Sequence, residues 1–343
     1  MEFYDGTRLL SMKDINGNTP EIYLCTANRS AGKTTFFNRL MINRFKKNGK
    51  KFMLLYRYNY ELDDCADKFF KDIERLFFNG SVFESKRKAM GIYHELYLDG
   101  LHCGYAVSMN SADMIKKYSH FFSDTDCILF DEFQSETNKY CPDEIKKFIS
   151  VHTSVARGNG KQSRYVPVYM LSNCVSLLNP YFVELDIASR LNSSTNFLRG
   201  DGWVLESGFI ESASQAQKES LFNRAFQKNN YISYSTENVY LNDSNAFVEK
   251  VTGYGRYVAT IKYEDNYYSI KEYPDAGIIY CDDKYDPTFP KKIAITTEDH
   301  QINYVMIKNN DMLFSVLKDL FKKGCFRFRN LKCKNAILKA LSI

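Results

Sequence analysis

The sequence predicts an α/β protein in parts: a P-loop domain on a parallel sheet, a helical linker, and a smaller α+β domain. Three observations carry this. The apolar run Ile22 to Cys25 leads into Ala27-Asn28-Arg29-Ser30-Ala31-Gly32-Lys33-Thr34, and a helical pattern opens at Thr35 and runs to Arg44. Strand, tight loop, Gly-Lys-Thr and helix in that order form a phosphate-binding loop. Across residues 21–206, short apolar runs alternate with helix-spaced patterns, which implies parallel strands joined by helices. From Tyr231 onward the pattern changes to short alternating strands.

Taken in order, Lys51 to Tyr58 (KFMLLYRY) suits a central strand, and Leu62 to Phe78 has apolar residues at helical spacing. His94 to Met109 reads as two strands turning at Asp99-Gly100. Asp126 to Phe130 is a buried strand ending in Asp131-Glu132. A helix over Pro142 to Arg157 comes next, with Asp143 and Glu144 in the first turn, where the helix dipole favours them. Val166 to Leu171 is a further buried strand, ending in Ser172-Asn173. Sites in open parallel sheets lie at the carboxyl ends of strands, and all three polar endings fall there. Glu211 to Gln227 is polar and helix-prone. The spacing then predicts strands at Phe247–Val251, Tyr257–Tyr263, Tyr267–Tyr273 and Ile278–Cys281, and helices at Met312–Lys322 and Asn335–Ser342. The expected division is 1–206, 207–229 and 230–343.

With 44% hydrophobic and 25% charged residues, the 343-residue chain has the composition of a globular protein with a substantial core. Its nine cysteines are scattered without any C-x-x-C, which argues against a disulfide framework or a zinc site and for a reducing cytoplasm. Met1 to Pro20 is polar, so no signal peptide is expected, and no apolar run approaches the length of a membrane span.

The chemistry begins at the loop. Its N–H groups and the helix N-terminus form a concave site for phosphate, so Ala27 to Thr35 are the candidate ATP-binding residues. Ala27 stands where glycine is usual. Gly32 allows close backbone approach, Lys33 reaches the β/γ-phosphate oxygens, and the Thr34 hydroxyl is a Mg²⁺ ligand. Asp131 is the second candidate Mg²⁺ ligand, and Glu132 the group that polarises the attacking water. The 98 residues from Lys33 to Asp131 leave room for a strand between the two motif strands. That insertion and the glutamate indicate the ATP-hydrolysing (ASCE) branch; no N-K-x-D guanine motif is present. Asn173 suits a γ-phosphate sensor, and a simple turn residue equally. Arg157, before Gly158-Asn159-Gly160, reads as basic compensation of a helix end, or as an arginine finger acting in a neighbouring subunit; Arg164 is its rival. The tail holds Lys322, Lys323, Arg327, Arg329, Lys332 and Lys334, with Phe326 and Phe328 interleaved with the arginines and no acidic residue. That composition suits nucleic-acid binding and a solvated basic face about equally.

RSAGKT (29–34), ILFDEF (128–133), MLSNCVSLLNPYF (170–182), DSNAFVEK (243–250), DPT (286–288), TTED (296–299) and GCFRFRN (324–330) together resemble the DNA-packaging ATPases of small protein-primed podoviruses, terminase-like ring motors. The resemblance implies a homopentameric ring on the portal of a procapsid, translocating double-stranded DNA in the host cytoplasm and absent from the mature virion. It also implies a structural RNA between motor and capsid, no membrane contact, and an arginine finger at Arg157. The arginine that the family carries in its P-loop matches Arg29, and a lysine that relatives carry is Asn59 here. The C-terminal part resembles a degenerate RNase H-like nuclease domain, with Asp243, Glu249, Asp282 and Asp283 as its acidic candidates and no cleavage expected. A helicase, or a slow nucleotide-gated nucleic-acid-binding protein, is the competing reading; a kinase would need an Arg-rich lid.

Overall fold

The computed structural model describes residues 3–226 and 247–342, apart from 138, 159, 161, 178, 189, 192–195 and 264. The chain forms two compact units: Met1–Cys174 with Asn196–Asn238, and Val175–Thr195 with Val239–Ile343. The division is therefore not a single cut near residue 206. Val175–Thr195 belongs with the second unit, and the helical linker with the first.

In the first unit the elements run α1 (Thr7–Ser11), β1 (Ile22–Thr26), α2 (Lys33–Asn48), β2 (Lys51–Tyr56), α3 (Cys65–Phe77), β3 (Phe83–Lys88), β4 (Tyr93–Leu98), β5 (Leu101–Ser108), α4 (Ala112–Lys117), β6 (Thr125–Asp131), α5 (Glu144–Val155) and β7 (Val168–Ser172). The second unit contributes α6 (Pro180–Glu184), which Asn179 caps by accepting from Phe182 N (2.9 Å). The first unit then closes with β8 (Phe197–Gly200), β9 (Trp203–Ser207), α7 (Glu211–Glu219) and α8 (Leu221–Ala225). The expected linker helix is two short helices because Ser220, extended at ψ 137°, ends one and caps the next by accepting from Asn223 N.

These strands make one nine-stranded sheet in the order β3-β4-β5-β2-β6-β7-β1-β9-β8. The central strands are parallel, and β3, β4 and β8 attach antiparallel at the edges. β7 lies between the P-loop strand β1 and the Asp131 strand β6; it comes after Asp131 in sequence, so the 98-residue separation, which is filled by β2 to β5, is not what supplies it. Gly104 is required in β5, since a Cβ there would sit 1.9 Å from the Phe52 carbonyl oxygen. The core between sheet and helices is strongly aromatic: Phe37, Phe52, Phe69, Phe70 and Tyr169 are all buried.

The second unit adds β10 (Phe247–Val248), β11 (Arg256–Tyr263), β12 (Asn266–Tyr273), β13 (Ile278–Asp282), β14 (Lys292–Ala294), β15 (Val305–Met306), α9 (Asp311–Lys322), β16 (Phe326–Phe328) and α10 (Leu331–Ser342). The seven-stranded order is β10-β16-β13-β12-β11-β14-β15. Within it β11 to β15 run 3-2-1-4-5, the first three antiparallel and the last two parallel to the first. That is the strand order of an RNase H-like sheet. The stretch FRF, expected as part of an exposed basic tail, is a strand inside this sheet, with Phe326 and Phe328 buried and their rings 5.9 Å apart.

Candidate functional site

The loop after β1 turns into α2 through Gly32, whose φ of 95° is left-handed and which N-caps the helix. Lys33 comes next and is buried, at 6% exposure. Its ammonium donates to Ala27 O (3.1 Å), Asn28 O (3.1 Å) and Asn173 Oδ1 (3.2 Å). Burial holds its pKa below the ordinary lysine value, against the attraction of Asp131. Phosphate oxygens would offer this cation stronger, charged partners than the carbonyls it now touches. Thr34 Oγ1 donates to Asp131 Oδ2 at 2.8 Å, and Glu132 N donates to Asp131 Oδ1 at 2.9 Å. A hydroxyl and a carboxylate brought to one point by two separate motifs are a hard-oxygen pair that fits Mg²⁺. Thr35, half-buried, continues the first turn of α2.

The remaining loop residues engage other partners. Arg29 forms an ion pair with Glu136 (3.2 Å). Ser30, at φ 60°, accepts from Gln217 Nε2 (3.0 Å). Asn28 is almost fully buried and holds Ile210 at both its N–H (3.0 Å) and carbonyl (3.1 Å), while Ala31 O accepts from Tyr4 N (2.8 Å).

Glu132 has φ 57°, an uncommon conformation for a residue with a side chain. Its carboxyl is pushed above the usual carboxylate value, first by burial and then by Asp131, Glu136 and Glu61, with Arg29 opposing. Burial raises Asp131 as well, against its bond from Thr34. What holds the Glu132 turn is Arg57, just beyond β2. Its guanidinium donates to Glu132 O (3.3 Å) and Phe133 O (2.8 Å) and forks onto the buried carboxylate of Glu144 (3.0–3.2 Å) at the start of α5. Sequence reasoning missed Arg57 and Glu144. The one available signal was that R-Y directly succeeds a buried strand, at the sheet edge where sites form.

Arg157 is exposed two residues past α5, its Nε donating to Thr153 O (3.1 Å). Twelve residues of helix, about 18 Å, separate the two ends of α5, so Arg157 stands well away from its own Glu132 turn. Arg164 is committed elsewhere: its guanidinium donates to Thr125 O (3.2 Å) and Val155 O (2.8 Å), and its N–H to Ala156 O. It stitches a loop to the sheet.

The tail differs from the expectation of a continuous nucleic-acid-binding face. Arg327 pairs with Glu249 (2.6 Å), and Arg329 with Asp282 (3.4 Å) and Asp283 (3.1 Å). Lys334 is buried at 4% exposure; Lys322, Lys323 and Lys332 are exposed. The same pairs involve the acidic candidates of the second unit. Lys271 (3.3 Å) and Arg329 (3.4 Å) both pair with Asp282. Asp243 lies outside the described residues. Among the described residues no three His, Cys, Asp or Glu side chains are grouped as metal ligands.

The strand between β1 and β6, the loop-to-helix turn and the carboxylates at the end of β6 define a P-loop fold of the ASCE type, succeeded along the chain by a unit with the strand order of an RNase H-like sheet. The chain belongs to the Podovirus DNA encapsidation protein (Gp16) family, whose model it matches over residues 2–341. It is 26% identical to the DNA packaging proteins of Bacillus phages PZA and phi29, in each case over 337 residues, 97% of this chain and 95% of the relative. Its fold matches the bacteriophage Phi-29 viral genome packaging motor assembly at TM-score 0.61 and 24% identity, covering 98% and 97% of the two chains. The Phi-28 gp11 DNA packaging motor matches at TM-score 0.63 and 17% identity, covering 99% and 98%.

Proposed function

We propose that this protein is the ATP-hydrolysing subunit of a ring motor that drives double-stranded DNA into a viral procapsid. The observation that carries the reading is the convergence of three chain segments on one point: Lys33 bonded to Asn173, and Thr34 bonded to Asp131. Loop N–H groups and Lys33 bind and orient the triphosphate. Glu132 takes a proton from water as the water oxygen bonds to the γ-phosphorus and the bond to the β–γ bridging oxygen breaks, giving ADP and phosphate. Thr34 and Asp131 would hold Mg²⁺, which when bound supplies charge neutralisation on the phosphate oxygens. Asn173 reports whether the γ-phosphate is present.

Arg157, free of its own site by the length of α5, would complete the neighbour's site. The reading includes a homopentamer, the portal and a packaging RNA as partners, and work in the host cytoplasm. Among the described residues no helix is long and apolar enough to cross a membrane. Mixing Glu132→Gln with Arg157→Ala subunits tests the ring. Some interfaces then pair an intact site with an intact arginine, and DNA-stimulated ATPase returns from two inactive proteins. No recovery in rings shown to be mixed refutes action in trans.

A further inference from the structure

A cavity of about 390 Å³ opens beside the nucleotide motifs, on the side of Thr34, Asp131 and Glu132 rather than of loop residues 27–33. It therefore adjoins the end of the site where the γ-phosphate is cleaved. Its other walls come from the end of β2, from Glu61, and from Lys68 and Phe69 of α3.

Two cations line this space, and they differ in one respect. Arg57 is buried and bonded to Glu144 and to two carbonyls. The Lys68 ammonium is exposed and has neither an ion-pair nor a hydrogen-bond partner among the described residues. The carboxylates around it are answered elsewhere. Glu61 accepts from Arg57 N (3.0 Å) and Tyr58 N (2.7 Å), and Asp131 from Thr34 and from Glu132 N. Glu132 is neutral once it has taken the proton of the attacking water. At the moment phosphate is formed, Lys68 is the uncommitted charge in the space next to it.

We propose that this cavity is the product site for inorganic phosphate, and that Lys68 is the cation that receives it before release. The assignment rests on the ATPase reading above. A dianionic oxyanion leaving Lys33 needs a second cation within the same partly enclosed space, because an anion left without a cation in low dielectric is costly. Lys68 sits on a helix wall and supplies a flexible point charge able to accompany the anion outward.

The test is titration of inorganic phosphate into the full-length protein saturated with ADP and Mg²⁺, for wild type, Lys68→Ala and Lys68→Arg. Losing one charge-assisted hydrogen bond to the anion should weaken phosphate affinity about tenfold or more in Lys68→Ala. Lys68→Arg should recover most of it, and phosphate inhibition of turnover should keep the same order. Affinity for ADP should stay within about twofold of wild type in both variants, which also shows that they fold. Wild-type phosphate affinity in Lys68→Ala overturns the assignment, as does a wild-type ADP complex that takes up no phosphate. A wild type that neither binds ADP nor hydrolyses ATP would instead overturn the ATPase reading.

Discussion

Arg57→Ala separates what the buried ion pair does for the fold from what it does for the site. The side chains of Arg57 and Glu144 are 9% and 1% exposed, so removing the arginine takes away the cation that the interior carboxylate forks onto, while Cys141 N (2.7 Å) still donates to it. Breaking one half of such a pair costs about 3–5 kcal/mol. For a unit of this size that lowers the thermal midpoint by roughly 10 °C or more. The double variant Arg57→Met with Glu144→Gln removes both charges and keeps an acceptor for Cys141 N, so most of the stability should return. Turnover should not return with it. The Glu132 and Phe133 carbonyls still lack their donor, and a shift of about 1 Å at the catalytic carboxylate costs on the order of 10²-fold. Thermal melts and DNA-stimulated ATPase on the same three preparations make the comparison. A double variant with wild-type turnover would refute the positioning role, and an unshifted melt for Arg57→Ala would refute the burial argument.

Arg157→Ala and Arg164→Ala should fail in opposite ways. The first should leave the melt within about 0.5 kcal/mol and lower ring turnover at least 10³-fold, and the second should destabilise by about 1–3 kcal/mol because two carbonyls lose their donor. A pH profile should show turnover falling with acid at a pH above the ordinary carboxylate range, since Glu132 must be ionised and its pKa is raised. Glu136→Gln should move that limb to lower pH, because it removes a charge that repels the ionised Glu132; an unmoved limb would assign it to another group. In the tail, neutralising Lys322, Lys323 and Lys332 should flatten the salt dependence of nucleic-acid binding by about 0.7–0.9 per lost phosphate contact, read from binding isotherms at several salt concentrations. Arg329→Ala should instead lower the melting point by freeing Asp282 and Asp283 from their pairs.

The parts of the site that were legible in the chain are those written in local order. Gly32-Lys33-Thr34 closes the loop after one buried strand and Asp131-Glu132 ends another, whereas the strand that lies between those two in the sheet comes later in the chain than both motifs. Arg57 and Glu144 were not legible, because 87 residues separate them and only the fold brings a guanidinium under the Glu132 turn. The tail misled for a related reason. Alternation of Phe and Arg at 326–329 is the period-two signature of a strand with one face buried, and composition alone does not say that Glu249, Asp282 and Asp283 wait on the other face. β3, with the sequence FESKRK, escaped notice because a mostly exposed edge strand carries no apolar run. Residues 175–195 continue from the sensor strand without a compositional break, so nothing in the chain signalled that they pack with the second unit.

Ser30 and Glu132, one in the phosphate loop and one at the carboxylate pair, both hold left-handed backbone that glycine would adopt without strain. Replacing either with glycine relieves about 1 kcal/mol of conformational cost and gives back a similar amount through the freer unfolded chain. Backbone energetics therefore set folding nearly indifferent to the loss of these side chains. Variants that have lost the chemistry at these two positions would still fold, be made in quantity and survive cellular quality control. In the ring proposed above each such copy would occupy a place without turning over, so the stability of the subunit by itself would not hold a serine and a glutamate at these positions.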